Sequence, residues 1–207
     1  MPTTLSLPIA LPDATGNARA EGHVVVPDAT YADFAALPEG TLAELFGGQI
    51  VLSATPSIRH AFAKGRLLST LHRRIESEQV GLLLPGPVDV RLGPETVLQP
   101  DIVFVARERF GILGKQEIEG APDLVVEILS PSTGHYDLTR KRRLYEESGV
   151  REYWIVDPAE QTVEVLALTD SGYQTAARVR GEGRAASALL DGFGVDAATL
   201  FDWPGGA

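Results

Sequence analysis

Two apolar, β-branched runs in this sequence each carry an acid that is costly to bury alone. The first is Gln99-Pro100-Asp101-Ile102-Val103-Phe104-Val105, and the second is Pro122-Asp123-Leu124-Val125-Val126-Glu127-Ile128-Leu129-Ser130. A carboxylate in such a run must be paired or must bind a cation. If the runs form adjacent antiparallel strands, the start of the first lies beside the end of the second, which sets Asp101 near Glu127. Alternation along the second strand puts Glu127 on one face with Val125 and Asp123, and Leu124, Val126 and Ile128 on the other. Two carboxylates at one sheet end repel unless one is protonated or a divalent cation sits between them. Oxygen ligands suit Mg²⁺ or Mn²⁺ with several waters retained. A metal-bound water is a nucleophile, and the cation offsets charge on a phosphodiester. These residues therefore suggest metal-assisted hydrolysis.

Lys141 is the third element. It follows Asp137 by one helical turn in Asp137-Leu138-Thr139-Arg140-Lys141, an acid-first i,i+4 pair. A lysine aimed at the attacking water could orient it or offset charge on the phosphate. Periodicity alone favours an exposed ion pair worth about 0.5 kcal/mol. Asp137 either positions Lys141 or complements the dipole at the start of its helix. Gln99 either hydrogen-bonds near the acids or is solvated at a strand end. Ser130 has no histidine placed to activate it, so a serine hydrolase is rejected. Tyr153 and Trp154 are expected in the core or at an interface.

The elements that must position these groups follow from periodicity and breakers. Residues 1–27 form an Ala-, Pro-, Thr- and Gly-rich leader, expected to be flexible, with a short strand at Val24-Val25-Val26. A helix is expected over Tyr31–Leu37, ended by Pro38-Glu39-Gly40. A hairpin follows, with Leu42, Glu44 and Phe46 alternating before the Gly47-Gly48 turn. Residues 57–79 make the longest helix, with a stripe of Ile58, Ala61, Phe62, Gly65, Leu68, Leu71 and Ile75. Strands are expected at 81–84, 88–92, 151–156, 162–168 and 173–179, with a helix over 136–148 closed by Gly149. Helix, strands, helix and strands in this order fit a mixed sheet flanked by helices, an α/β (α+β) fold, better than a doubly wound one. Residues 28–207 are expected to form one domain.

Composition bounds the rest. The chain has 207 residues, no cysteine and a formal charge of −10, so disulfides and thiolate metal sites are excluded. No apolar run is long enough to span a bilayer, and the start does not read as a secretory signal; a cytoplasmic protein is expected. The acidity opposes non-specific polyanion binding over the whole surface. Basic residues nevertheless gather on the two long helices, as Arg59, Lys64, Arg66, Arg73 and Arg74, and as Arg140, Lys141, Arg142 and Arg143. They form either solvated faces or a polyanion-facing patch.

Several of these segments together resemble the Uma-two family of restriction-endonuclease-like proteins, within the PD-(D/E)xK nuclease superfamily. They are Pro100-Asp101; Val126-Glu127-Ile128-Leu129-Ser130-Pro131-Ser132-Thr133; Asp137 with Lys141; Tyr145 with Gly149-Val150; and Glu152-Tyr153-Trp154-Ile155-Val156-Asp157-Pro158. The likeness runs from about Tyr31 to Phe201. It implies a restriction-endonuclease-like sheet and a Mg²⁺- or Mn²⁺-dependent endonuclease acting on DNA. In the superfamily a lysine stands two residues after the acid, where this chain has Leu129; the resemblance implies that Lys141 takes that role. It also implies that Asp101, Glu127 and the main-chain carbonyl of Ile128 bind the metal. Glu44, in the early Glu-Leu-x-x-Gly hairpin, and His60 match further family positions and are expected accessory site residues. Analogy at the level of the fold adds an expected homodimer, since two sites cut a duplex most simply. The alternative is a non-catalytic nucleic-acid- or protein-binding module on the same fold, its site vestigial.

Overall fold

The computed structural model describes residues 19–20, 23–53, 55–130 and 136–204. The first half of the chain forms β1 (Arg19–Ala20), β2 (His23–Pro27), α1 (Tyr31–Ala35), β3 (Ala43–Phe46), β4 (Gln49–Leu52) and α2 (Ile58–Glu78). Next come β5 (Gly81–Pro85), β6 (Val90–Gly93), β7 (Thr96–Leu98), β8 (Ile102–Ala106), β9 (Ile118–Glu119), β10 (Leu124–Ile128) and α3 (Tyr136–Ser148). The last elements are β11 (Glu152–Asp157), β12 (Thr162–Thr169), β13 (Gly172–Arg180), β14 (Arg184–Ala186), β15 (Gly194–Asp196) and α4 (Ala197–Phe201).

The fold is mixed α+β, and its strands divide into two large sheets and a small ribbon. One sheet has the order β1-β2-β4-β3-β7-β6-β9, the other β13-β12-β11-β10-β8-β5, and β14 pairs with β15. The acid-bearing strands β8 and β10 are adjacent and antiparallel, with Val126 opposite Ile102. Strands β10 and β11 are parallel, as the intervening helix α3 allows. Part of the stretch read as a leader pairs in the first sheet, where Val25 lies opposite Val51.

The second sheet is covered on both faces. Ile102, Phe104, Leu124, Val126 and Ile128 pack with Ala63, Leu67, Leu71 and Ile75 of α2. The opposite face sets Val125, Tyr153 and Leu166 against Tyr145 of α3 and against Phe46 and Leu98 of the first sheet. Glu127 shares this second face with Val125, as alternation requires. Beyond the start of β10, Asp123 is fully buried and accepts bonds from the Ala106 N–H, Arg109 and Arg151. Glu152 is also fully buried, and ties Trp154 Nε1 to the Ser187–Leu189 segment.

Helix α2 starts where Ser57 accepts the His60 N–H and ends at Gln79 in the left-handed region. Its buried face differs from the expected stripe. His60, Ala63, Leu67, Leu71 and Ile75 face inward, whereas Ile58 is 75% exposed. Phe62 instead meets Trp203 edge-on at 5.1 Å. Leu71 and Ile75 belong to both faces, and the buried one also carries His60, which with its neighbour Lys64 contacts Asp101 at the sheet end. Among the described residues, no helix is long and apolar enough to cross a membrane.

Candidate active site

Asp101 sits one residue before β8, where its own N–H donates to the Val126 carbonyl at 3.0 Å. That bond docks the start of β8 against the end of β10. The carboxylate then caps the sheet end. Oδ2 accepts the Ile128 N–H at 2.9 Å and lies 2.9 Å from His60 Nε2, while Oδ1 accepts from Lys64 Nζ at 3.2 Å. A carboxylate only accepts, so His60 carries a proton on Nε2; among the described residues its buried Nδ1 has no hydrogen-bond partner. Burial alone would raise the Asp101 carboxyl. The His60 hydrogen bond and charge, then Lys64 and the Ile128 N–H, outweigh it and hold the group below the usual carboxylate range.

Gly86 closes the other side of this cluster. Its N–H donates to the Asp101 carbonyl at 2.8 Å, and its carbonyl accepts from Lys64 Nζ at 3.0 Å. A Cβ at position 86 would overlap the Pro100 carbonyl oxygen, so the loop approaches this closely only as glycine.

Glu127 anchors a second cluster, facing α3 and the hairpin. Lys141 Nζ lies 3.1 Å from each of its carboxylate oxygens, and the Tyr145 hydroxyl donates to Oε1 at 2.6 Å. Lys141 also reaches Glu44 Oε1 at 2.8 Å, and that oxygen accepts the Gln99 N–H at 2.9 Å. Burial pushes the Glu127 carboxyl up to about 8; Glu44 and Asp101 add to the rise, and Lys141 and the Tyr145 hydroxyl oppose it. Burial likewise holds the Tyr145 hydroxyl well above its ordinary range. The Gln99 side chain accepts the Ala43 N–H and donates to Asp89. It thus bridges β3 to the loop before β6. Arg140 secures the hairpin tip, stacking 4.0 Å from the Phe46 ring centre and donating to the Phe46 carbonyl. Gly47 has φ +59, and a Cβ there would meet the Arg140 guanidinium.

The expected residues therefore fall into two adjoining groups. Glu44, Gln99, Glu127 and Lys141 form one; Asp101 and His60 form the other; the Ile128 N–H joins them. Asp137 lies in α3, but its side chain is outside the described residues, as are Pro131 to His135. Lys64 and Tyr145 were not among the expected site residues. Each follows a named candidate by four positions, Lys64 after His60 and Tyr145 after Lys141, and shared helix faces were the available signal.

These donors suit a hard divalent cation. Glu44, Asp101 and Glu127 supply only carboxylate oxygens, and the like charges around Glu127 favour neutralisation by a proton or a cation. Among the described residues, no group of three or more His, Cys, Asp or Glu side chains is gathered for one ion, so water or substrate would supply further ligands.

Many of the helical arginines also make hydrogen bonds within the chain. Arg66 donates to the Asp202 carbonyl, Arg74 to Glu78 and the Asp191 carbonyl, Arg142 to the Tyr173 carbonyl, and Arg143 to Glu147. Arg59 and Arg73 are exposed.

A family model described as "Putative restriction endonuclease" matches residues 21–198. The fold is shared with a solved structure from Anabaena variabilis ATCC 29413, described as a putative nuclease belonging to DUF820. The two chains are 22% identical, with a TM-score of 0.71, over 84% of this chain and 98% of that one. No curated protein matches the chain.

Proposed function

The chain belongs to the Uma2 family, described as "Putative restriction endonuclease", and from that membership we propose a Mg²⁺- or Mn²⁺-dependent endonuclease that hydrolyses DNA phosphodiester bonds. The observation that supports the reading is that Lys141 closes on Glu127 while the N–H of the next residue, Ile128, holds Asp101. Asp101, Glu127 and the main-chain carbonyl of Ile128 would hold the cation, with Glu44 as an accessory acid beside Lys141. When bound, the cation would supply charge stabilisation at the phosphate and lower the pKa of water.

The chain's own groups do the positioning. His60 and the Ile128 N–H fix Asp101 Oδ2, leaving Oδ1 to a flexible partner. Tyr145 fixes Glu127 Oε1. Lys141 Nζ would orient the attacking water or offset phosphate charge, held ready by Glu44 and Glu127. Residues 28–207 act as one catalytic domain in this reading, in a cytoplasmic homodimer.

Plasmid DNA cleavage with Mg²⁺ tests the proposal. Asp101→Ala, Glu127→Ala and Lys141→Ala should each lose most activity, and equal cutting by all three would refute it. The second reading, a binding module with a vestigial site, is favoured by the lysines already closed on the carboxylates. Mn²⁺ titration separates the two, because an intact carboxylate site gains thermal stability on binding the ion and a vestigial one does not.

A further inference from the structure

We propose that Lys64 is an exchangeable counter-ion of Asp101: it holds that carboxylate in place of a divalent cation and moves to a nucleic-acid phosphate when the cation binds. This rests on the nuclease reading, and the two oxygens of Asp101 carry the argument. Oδ2 is fixed by the Ile128 main-chain N–H and by buried His60. Among the described residues Oδ1 has Lys64 alone, whose ammonium rides on a flexible four-carbon stem. Oδ1 is thus the oxygen a cation can take without disturbing the donors that aim the carboxylate.

The two lysines of the site differ in just this respect. The Lys141 side chain is 9% exposed and binds two carboxylates, whereas the Lys64 side chain is 21% exposed and binds one, plus a carbonyl. Lys141 is built in. Lys64 stands at the solvent edge, where an ion pair is weak and the ammonium can swing outward while His60, one turn earlier on α2, stays in place. An ammonium released beside a newly bound cation is well placed to neutralise an adjacent phosphate.

The test uses the full chain and Mn²⁺ alone as the first probe. Removing the competing ammonium in Lys64→Met should tighten Mn²⁺ binding by roughly two- to fivefold, as measured by calorimetry. Lys64→Arg, which keeps a charge on Asp101, should bind Mn²⁺ no better than wild type. A labelled DNA duplex is the second probe, followed by fluorescence anisotropy across a salt series with Ca²⁺ or with EDTA. With Ca²⁺, Lys64→Met should lose about one phosphate's worth of salt dependence; with EDTA its slope should match wild type. Unchanged or weaker Mn²⁺ binding by Lys64→Met overturns the exchange, and an unchanged slope with Ca²⁺ overturns the transfer to phosphate. A Mn²⁺ gain in Lys64→Met, together with wild-type protein that leaves plasmid DNA uncut, would sink the nuclease reading while supporting the exchange. Unaltered thermal midpoints of both variants in EDTA exclude misfolding as the cause.

Discussion

In the proposed site, Glu127 is where protonation and cation binding would meet. Its folded pKa of about 8 stands above the ordinary value of 4.5, so the cation-free site keeps a proton at neutral pH that the unfolded chain has released. In the absence of cation, that contribution to stability is fully present below the unfolded value and is lost as pH rises through about 8. If Glu127 is a ligand as proposed, cation binding would expel that proton. Mn²⁺ affinity should therefore climb from pH 6 to pH 8 and then level, with proton release at pH 7 visible in calorimetry run in two buffers of different ionisation enthalpy. Tyr145→Phe removes a donor that lowers the Glu127 pKa, so the same affinity profile should move to higher pH, with a stability loss of about 1 kcal/mol. A profile that stays in place would mean the hydroxyl does not tune the acid. The sequence made Asp101 and Glu127 legible because an acid in an apolar strand has few innocent explanations. Lys64 stayed hidden among the helical basic residues, since nothing in its own spacing separates a lysine that turns inward from one that is solvated.

At the scale of elements, antiparallel pairing of β8 with β10 follows from two apolar runs with matched acids, and the pairing alone brings Asp101 to Ile128. The division into two sheets was less legible. Strand β9 pairs with the distant β6, and β7, besides its local hairpin with β6, also pairs with the distant β3. The face of α2 was misread because hydrophobic counting ignores the polar pull of Asp101 on His60 and Lys64. Substitution separates the two faces. Leu67→Ala, in the core, should cost about 2–5 kcal/mol, while Ile58→Ser, on the exposed side, should stay within about 0.5 kcal/mol. Urea unfolding of both variants checks this, and equal losses would restore the original stripe.

For the molecule as a whole, net charge and local charge pull in opposite directions. A formal charge of −10 repels a polyanion, and most arginines of the two long helices donate to carbonyls or acids of the same chain. Nucleic-acid affinity should therefore depend on the cation more than on a standing basic surface. Anisotropy should show binding at least tenfold weaker in EDTA than in Ca²⁺ at moderate salt, and equal binding would point to a basic surface elsewhere. The Gly47–Gly48 turn carries one more consequence, for how this chain can be altered. Hairpin tips are ordinarily where proteins accept added residues, tags or loops of new length. Here Arg140 grips the tip from the helix that also bears Lys141. A single added residue that slipped the pairing of β3 with β4 would turn Glu44 to the opposite face. Lengthening this turn would thus act as a lesion of the acid cluster, and a chain that tolerates growth elsewhere on its surface should tolerate none here.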